Sequence, residues 1–187
     1  MLLVSIILGI VAPVSAQSNE GNIPSDDIFA DIYDQVSPSV VSISVVARRS
    51  DTNLFNQDET VIGGGTGFVL DTDGYIMTNN HVVDGATEIE VSFVDGTLAS
   101  ARIIGLDPDS DLAVIQVDLP EEDLTELQPV TFGDSDALRI GQTVLAIGSP
   151  FGQRWTLTSG IISAIDRSIQ GLTDFSIGSV IQTDTAI

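Results

Sequence analysis

The sequence predicts an all-β protein, in the form of a sandwich or barrels. Many short segments alternate apolar, often β-branched residues with polar ones, and turn residues separate them at regular spacing. Helical patterns are few. Hydrophobic residues make up 43% of the 187 residues, so a substantial core can form. The chain has no cysteine, so its stability depends on packing and hydrogen bonds rather than on disulfides or thiolate metal sites.

The first 16 residues predict a secretory signal peptide. Residues 2–14 form an apolar run that is short for a membrane span, and small residues follow it. Cleavage is expected after Ala16, which places the domain in the periplasm, the cell envelope or the extracellular space. The alternative is that the run is retained as a membrane anchor, in which case the domain is still exported.

Residues 17–37 predict a polar linker followed by a helical segment. Residues 27–36 carry apolar side chains at helical spacing, among them Phe29 and Tyr33. Ser25 or Asp26 is available as the N-cap, and the dipeptide that ends in Pro38 terminates the helix.

From residue 38 onward the pattern has the period of two that is typical of strands. A first β-barrel is predicted over residues 38–118, with glycine-containing turns at 71–74 and 95–96 and a long surface loop at 48–60. Residues 118–129 are rich in acidic residues and contain two prolines, which favours a connection between units. Residues 119–187 therefore hold this connection and a second β unit.

The charge balance excludes some classes of partner. Asp and Glu total 27 against six arginines and no lysine, which gives a net charge of −21. Neutralisation of nucleic acid phosphates and docking on an anionic membrane both need basic side chains that this chain lacks. An anionic surface of this density repels itself, so we expect salt to stabilise the domain as in an adaptation to saline surroundings. The alternative is an ordinary acidic secreted protein.

The single histidine, His81, is the first candidate for chemistry. It follows a predicted strand and two asparagines, and it precedes an apolar pair, so its imidazole is expected at a strand end beside buried neighbours. Imidazole is the side chain whose unperturbed pKa suits proton transfer near neutrality. The alternative is a structural histidine.

Asp111 is the second candidate, because it opens the apolar strand that begins at Leu112. A carboxylate at that place can hold one ring nitrogen of His81 and stabilise the imidazolium. The alternatives are an ordinary turn aspartate and a calcium loop formed with Asp107 and Asp109. Leu112 stands where such a loop needs glycine, and the flanks resemble strands rather than helices. No metal or organic cofactor is predicted.

Several runs in succession carry a resemblance to a known family. They are TGFV (66–69), GYIMTNNHVV (74–83), DSDLAV (109–114), GDSDALRIG (133–141), AIGSPFG (146–152), TSGIIS (158–163) and IQTDTAI (181–187). Together they resemble the HtrA/Deg family of trypsin-like serine proteases, in family order and from about Phe29 to the last residue.

The resemblance implies two antiparallel six-stranded barrels of chymotrypsin type, the first complete and the second incomplete. It implies that His81 is the general base and Asp111 its orienting partner, in the chain order His, Asp, Ser. The family's nucleophilic serine belongs to a glycine-rich turn that follows the segment matched by residues 182–187, so we expect it beyond Ile187. The serines after Asp111 lack such a turn; Ser159 comes nearest, but it lies in a strand-like run.

The resemblance also implies a function and a setting. It predicts an exported serine endopeptidase of protein quality control, which acts on unfolded or misfolded polypeptides. It matches residues 168–178 with a regulatory loop that has Arg167 at its base, and it places Phe29 and Tyr33 between the subunits of a homotrimer. The alternatives for these residues are an ordinary surface loop and a local helix face. Two other functions stay open: a catalytically silent binding or chaperone module on the same fold, and a secreted calcium-binding β domain.

Overall fold

The computed structural model describes residues 26–50, 58–149, 155–171 and 175–186. The predicted signal peptide and most of the predicted linker lie outside these ranges. The described residues are mainly strands, which confirms the all-β prediction. No helix among them has the length and apolar character needed to cross a lipid bilayer.

A helix precedes the strands, as the spacing of its apolar residues predicts. α1 spans Asp26–Val36, and the 3-10 turn Ser37–Ser39 follows it directly. Pro38 lies in the first turn of that 3-10 segment, where its missing N–H breaks no helical hydrogen bond. Phe29 and Tyr33 are half-buried on α1, whereas Ile28 and Ile32 are more exposed.

Six antiparallel strands form a closed barrel in the spatial order β1-β2-β3-β6-β5-β4. The strands are β1 (Val40–Ser50), β2 (Asp58–Val69), β3 (Tyr75–Thr78), β4 (Ala86–Ser92), β5 (Leu98–Asp107) and β6 (Leu112–Val117). Closure removes the unpaired edges that an open sheet would leave. The short helix α2, Asn80–Val83, connects β3 to β4.

The barrel core consists of the inward-facing residues of each strand. Ile43 lies opposite Val91 on neighbouring strands, Ile76 lies opposite Ile115, and all four side chains are fully buried. Polar residues such as Glu90 alternate with them and face solvent. This two-residue alternation is the pattern from which the strands were predicted, and it fixes the register because a shift by one residue would expose the core.

The predicted surface loop at 48–60 is wrong at both ends. β1 continues to Ser50 and β2 begins at Asp58, with Arg48 paired to Thr60 and Ser50 paired to Asp58. Backbone groups make the ladder hydrogen bonds, so a hairpin can continue through polar residues when its two arms are already aligned. Side-chain polarity therefore gave the wrong boundary.

A second, three-stranded sheet has the order β7-β8-β9, with β7 at Thr143–Gly148, β8 at Thr156–Gln170 and β9 at Ser176–Thr183. The segment between barrel and sheet contains the short helix α3, Glu121–Leu124. The Trp155 indole N–H donates to the Val40 carbonyl at 2.9 Å, and the Ser149 N–H donates to Thr66 Oγ1 at 3.0 Å. These bonds attach the second sheet to β1 and β2.

We expect the melting temperature to rise with salt. In the described part of the chain the contact between His81 and Asp111 is the single close approach of a carboxylate to a basic side chain, so the many other carboxylates repel each other without local compensation. Raising sodium chloride from about 0.1 M to about 1 M shortens the Debye length from about 10 Å to about 3 Å. A gain of roughly 1–2 kcal/mol would raise the melting temperature by several degrees at this size. Calorimetry checks this, with sucrose of equal osmolality as control, and an equal rise in both solutes would contradict screening.

Candidate active site

His81 is presented by α2 at the end of β3. The Thr78 hydroxyl donates to the Thr66 carbonyl at 2.8 Å, which fastens the end of β3 to β2. Val83, two residues after the histidine, is fully buried in the barrel core. Because α2 is only four residues long, burial of Val83 places His81 on the outer side, where 54% of its side chain is exposed. The core thus fixes the backbone under an accessible imidazole.

Gly65 allows α2 to approach β2 closely. A Cβ built on Gly65 would lie 2.6 Å from Val82 Cγ2 and 2.9 Å from Val82 Cγ1, which is closer than real side chains come. The contact of Gly65 with the residue after His81 depends on the pairing of distant segments, so no local sequence pattern indicates it.

Gly65→Ala is expected to destabilise the protein by roughly 1–3 kcal/mol, because the added methyl group overpacks the contact with Val82. Urea denaturation measures the change. Gly105→Ala is the matched control, since a Cβ at Gly105 meets nothing within 4 Å. Equal stability losses in the two variants would contradict this assignment of Gly65.

Asp111 lies immediately before β6, in a left-handed backbone conformation with φ of 54°. Aspartate tolerates this conformation better than most residues. The Asp111 carbonyl accepts hydrogen bonds from the Asn80 N–H at 3.1 Å and from Asn79 Nδ2 at 3.0 Å. The turn before β6 is thereby joined to α2.

The carboxylate of Asp111 faces His81 through both of its oxygens. Oδ1 accepts the His81 backbone N–H at 3.0 Å, and Oδ2 lies 2.7 Å from His81 Nδ1. Asn79 Nδ2 is a third donor, 3.3 Å from Oδ2. The carboxylate of Asp111 therefore contacts both the backbone and the ring of His81. The backbone bond holds the carboxylate in the position from which Oδ2 reaches Nδ1.

Opposing effects act on the pKa of Asp111. Partial burial acts to raise it, since only 16% of the side chain is exposed. The His81 backbone N–H, the imidazole with its charge and the Asn79 amide all favour the carboxylate, and together they hold the pKa below the ordinary aspartate value. Asp111 is therefore ionised at neutral pH and acts as an acceptor for Nδ1–H.

The second ring nitrogen of His81 is open. Among the described residues, none makes a hydrogen bond with Nε2, and no serine makes a hydrogen bond with the imidazole. An imidazole whose Nδ1–H is held by a carboxylate has the tautomer in which Nε2 can accept a proton. The arrangement can therefore perform proton transfer for a nucleophile placed at the exposed side of the ring.

The three aspartates of the calcium-loop alternative do not converge. Asp107 Oδ1 accepts the backbone N–H groups of Asp109 and Ser110, at 3.2 Å and 3.3 Å, whereas Asp111 faces His81. Within the ranges described, no group of three or more acidic or histidine side chains is placed to hold a metal ion. The loop is explained by turn formation.

The structure brings His81 and Asp111 together but places the other predicted site residues elsewhere. Arg167 is exposed on β8, paired with Val180 of β9. Phe29 and Tyr33 lie on α1, outside the barrel. Asn79 binds Asp111 but was not predicted as a site residue, because its local sequence carries no signal of a bond to a residue 32 positions away.

A closed antiparallel barrel, a second β sheet beside it and a histidine–aspartate pair at the barrel's edge define a protein of chymotrypsin type. Residues 65–187 match the model of the trypsin-like peptidase domain family, and the chain belongs to that family.

Several curated relatives are proteases of HtrA, DegP and Do-like type. Protease Do-like 1, chloroplastic, from Arabidopsis thaliana is 42% identical over 157 residues, which cover 83% of this chain and 35% of the relative. Serine protease Do-like HtrA from Bacillus subtilis is 39% identical over 172 residues, covering 85% and 37%. Periplasmic serine endoprotease DegP from Escherichia coli K12 is 46% identical over 132 residues, covering 70% and 27%. The chain thus spans about a third of the length of these relatives.

Solved structures agree with the fold. A variant of the HtrA-type protease AlgW with a decapeptide superposes with a TM-score of 0.76 at 35% identity, over 85% of this chain and 51% of that one. Deg5 gives a TM-score of 0.65 at 37% identity, over 84% and 73%. The prediction of a chymotrypsin-type fold with a complete first barrel and a partial second one is confirmed.

Proposed function

We propose that the full-length protein is an exported serine endopeptidase of protein quality control, with His81 as general base and Asp111 as its orienting partner. The observation that carries the proposal is the 2.7 Å contact between His81 Nδ1 and Asp111 Oδ2, combined with the 54% exposure of the His81 side chain. A histidine that served only the core would be buried, whereas more than half of this side chain is in solvent.

The mechanism is acyl transfer. A serine hydroxyl attacks the peptide carbonyl while His81 Nε2 takes its proton, and the imidazolium then gives that proton to the leaving amine. Water repeats the sequence to release the acyl group. Throughout, Asp111 Oδ2 accepts Nδ1–H, holds the tautomer and stabilises the positive charge on the ring. No metal or organic cofactor takes part in these steps.

The nucleophilic serine is proposed on the segment that follows Ile187 in the full-length protein. Support comes from the absence of a hydrogen-bond partner for Nε2 among the described residues and from relatives that are about two and a half times as long as this chain. Unfolded or misfolded polypeptides are the proposed substrates, in a periplasmic, cell-envelope or extracellular compartment. One relative is named periplasmic and another chloroplastic, which supports the proposal of an exported or envelope location. We further propose a homotrimer that uses Phe29 and Tyr33, and regulation through residues 168–178, which follow Arg167. The prediction of a loop over all of these residues is wrong at both ends, because β8 continues to Gln170 and β9 begins at Ser176.

Labelling with a fluorophosphonate tests the proposal. The full-length protein is expected to react at one serine beyond residue 187 and to cleave a denatured polypeptide faster than the native form of the same polypeptide. The 187-residue chain is expected to stay unlabelled. Absence of labelling in the full-length protein would overturn the protease assignment, and labelling of the shorter chain would show that an internal serine is the nucleophile.

A further inference from the structure

Asn79 occupies the N-cap position of α2, but its side chain does not cap the helix. Asparagine at an N-cap ordinarily uses its amide oxygen to accept an N–H of the first helical turn. Asn79 has the extended backbone of an N-cap, with φ of −81° and ψ of 148°, and it makes no such bond. Helix capping therefore does not explain this side chain.

The amide of Asn79 instead holds Asp111, 32 residues further along the chain. Nδ2 lies 3.0 Å from the Asp111 carbonyl oxygen and 3.3 Å from Oδ2. Both of these atoms can only accept hydrogen bonds when the carboxyl is ionised. The amide nitrogen, with its two hydrogens, must therefore face them, because the amide oxygen would be repelled by both.

This pair of bonds acts on the backbone and the side chain of Asp111 together. Asp111 has a left-handed φ of 54°, and its carbonyl faces α2, where Asn79 and the Asn80 N–H bind it. Oδ2, the atom that Asn79 also binds, is the oxygen in contact with the His81 ring. Asn79 thus favours the one turn conformation in which Oδ2 reaches Nδ1.

We propose that Asn79 is a positioning residue, whose amide clamps the carbonyl and the carboxylate of Asp111 so that Oδ2 stays aligned with His81 Nδ1. The inference rests on the proposed protease function. Asn79 acts through Asp111 rather than on substrate, so its loss should slow the chemical step and leave substrate binding unchanged.

Steady-state kinetics of the full-length protein test the clamp. Asn79→Ala is expected to lower kcat on the order of tenfold, the loss of a charge-assisted hydrogen bond, with KM within about twofold of the wild type. Asn79→Asp keeps the shape but replaces the donor with a negative charge, so a larger loss of kcat is expected. Carbon NMR of the Asp111 carboxyl should show its pKa rising toward the ordinary value in Asn79→Ala.

Gln116→Ala is the matched control, because Gln116 also donates a side-chain amide to a backbone carbonyl, that of Asp73 at 2.9 Å. It is expected to leave kcat within about twofold. Wild-type kcat in both Asn79 variants, or an unmoved Asp111 pKa, would overturn the clamp. If the wild type fails to cleave, the protease proposal fails, and the carboxyl titration still decides whether Asn79 holds Asp111.

Discussion

His81→Ala in the full-length protein is expected to lower kcat/KM by roughly 10⁶-fold, because it removes the group that accepts the serine proton and returns it to the leaving amine. The fold should survive. More than half of the side chain is exposed, and the neighbouring Val83, which anchors α2, is unchanged.

Cleavage of a fluorogenic unfolded polypeptide measures this effect, with urea denaturation as the check on folding. Asp84→Asn is the control, since Asp84 is exposed at the end of α2 and its side chain takes part in none of the hydrogen bonds that join Asn79, His81 and Asp111. A folded His81→Ala protein that retains more than about 1% of wild-type kcat/KM would exclude His81 as the general base. Removing the general base of such a site lowers the rate by far more than about a hundredfold.

The pairing of His81 with Asp111 could be predicted because each residue carries a local signal. His81 follows a strand and precedes an apolar pair, and Asp111 opens an apolar strand after a turn. Their roles came from the family resemblance. Antiparallel pairing of β3 with β6 then brings the end of β3 beside the start of β6, since Thr78 pairs with Ala113. Once β3 and β6 are paired, their local patterns are sufficient to place the His81 and Asp111 side chains at the same edge of the barrel.

Other features depend on contacts between distant segments, which no local pattern shows. Asn79 follows a predicted strand in the sequence, but its bonds are to Asp111, which adopts a left-handed conformation 32 residues away. The close approach of Gly65 to Val82 likewise depends on how β2 and α2 pack. The error at residues 48–60 has the same origin, because ladder hydrogen bonds follow the partner strand rather than side-chain polarity.

Asp111→Asn is expected to lower kcat by on the order of 10⁴-fold. Asparagine has the same size and also tolerates the left-handed conformation, so the turn before β6 should be kept. Its amide can donate to His81 Nδ1, which favours the tautomer with the proton on Nε2 and leaves the ring unable to accept the serine proton. The test is kcat measured at neutral pH, together with a structure or spectrum showing that the fold is native. Wild-type kcat in a folded Asp111→Asn protein would show that the Asp111 carboxylate is not needed for the chemical step.

The same variant gives a pH dependence whose sign follows from the pKa of Asp111. That pKa is lower in the folded state than the ordinary aspartate value of about 3.9, so the folded protein binds this proton less readily than the unfolded chain. The resulting stabilisation is complete above the ordinary value and is lost as pH falls through the folded one. The difference in unfolding free energy between wild type and Asp111→Asn should therefore shrink as the pH falls below about pH 4. Taking the difference removes the contribution of the other carboxylates, which titrate in both proteins. A gap that stays constant at low pH would show that the ionised carboxylate does not hold His81 in the folded protein.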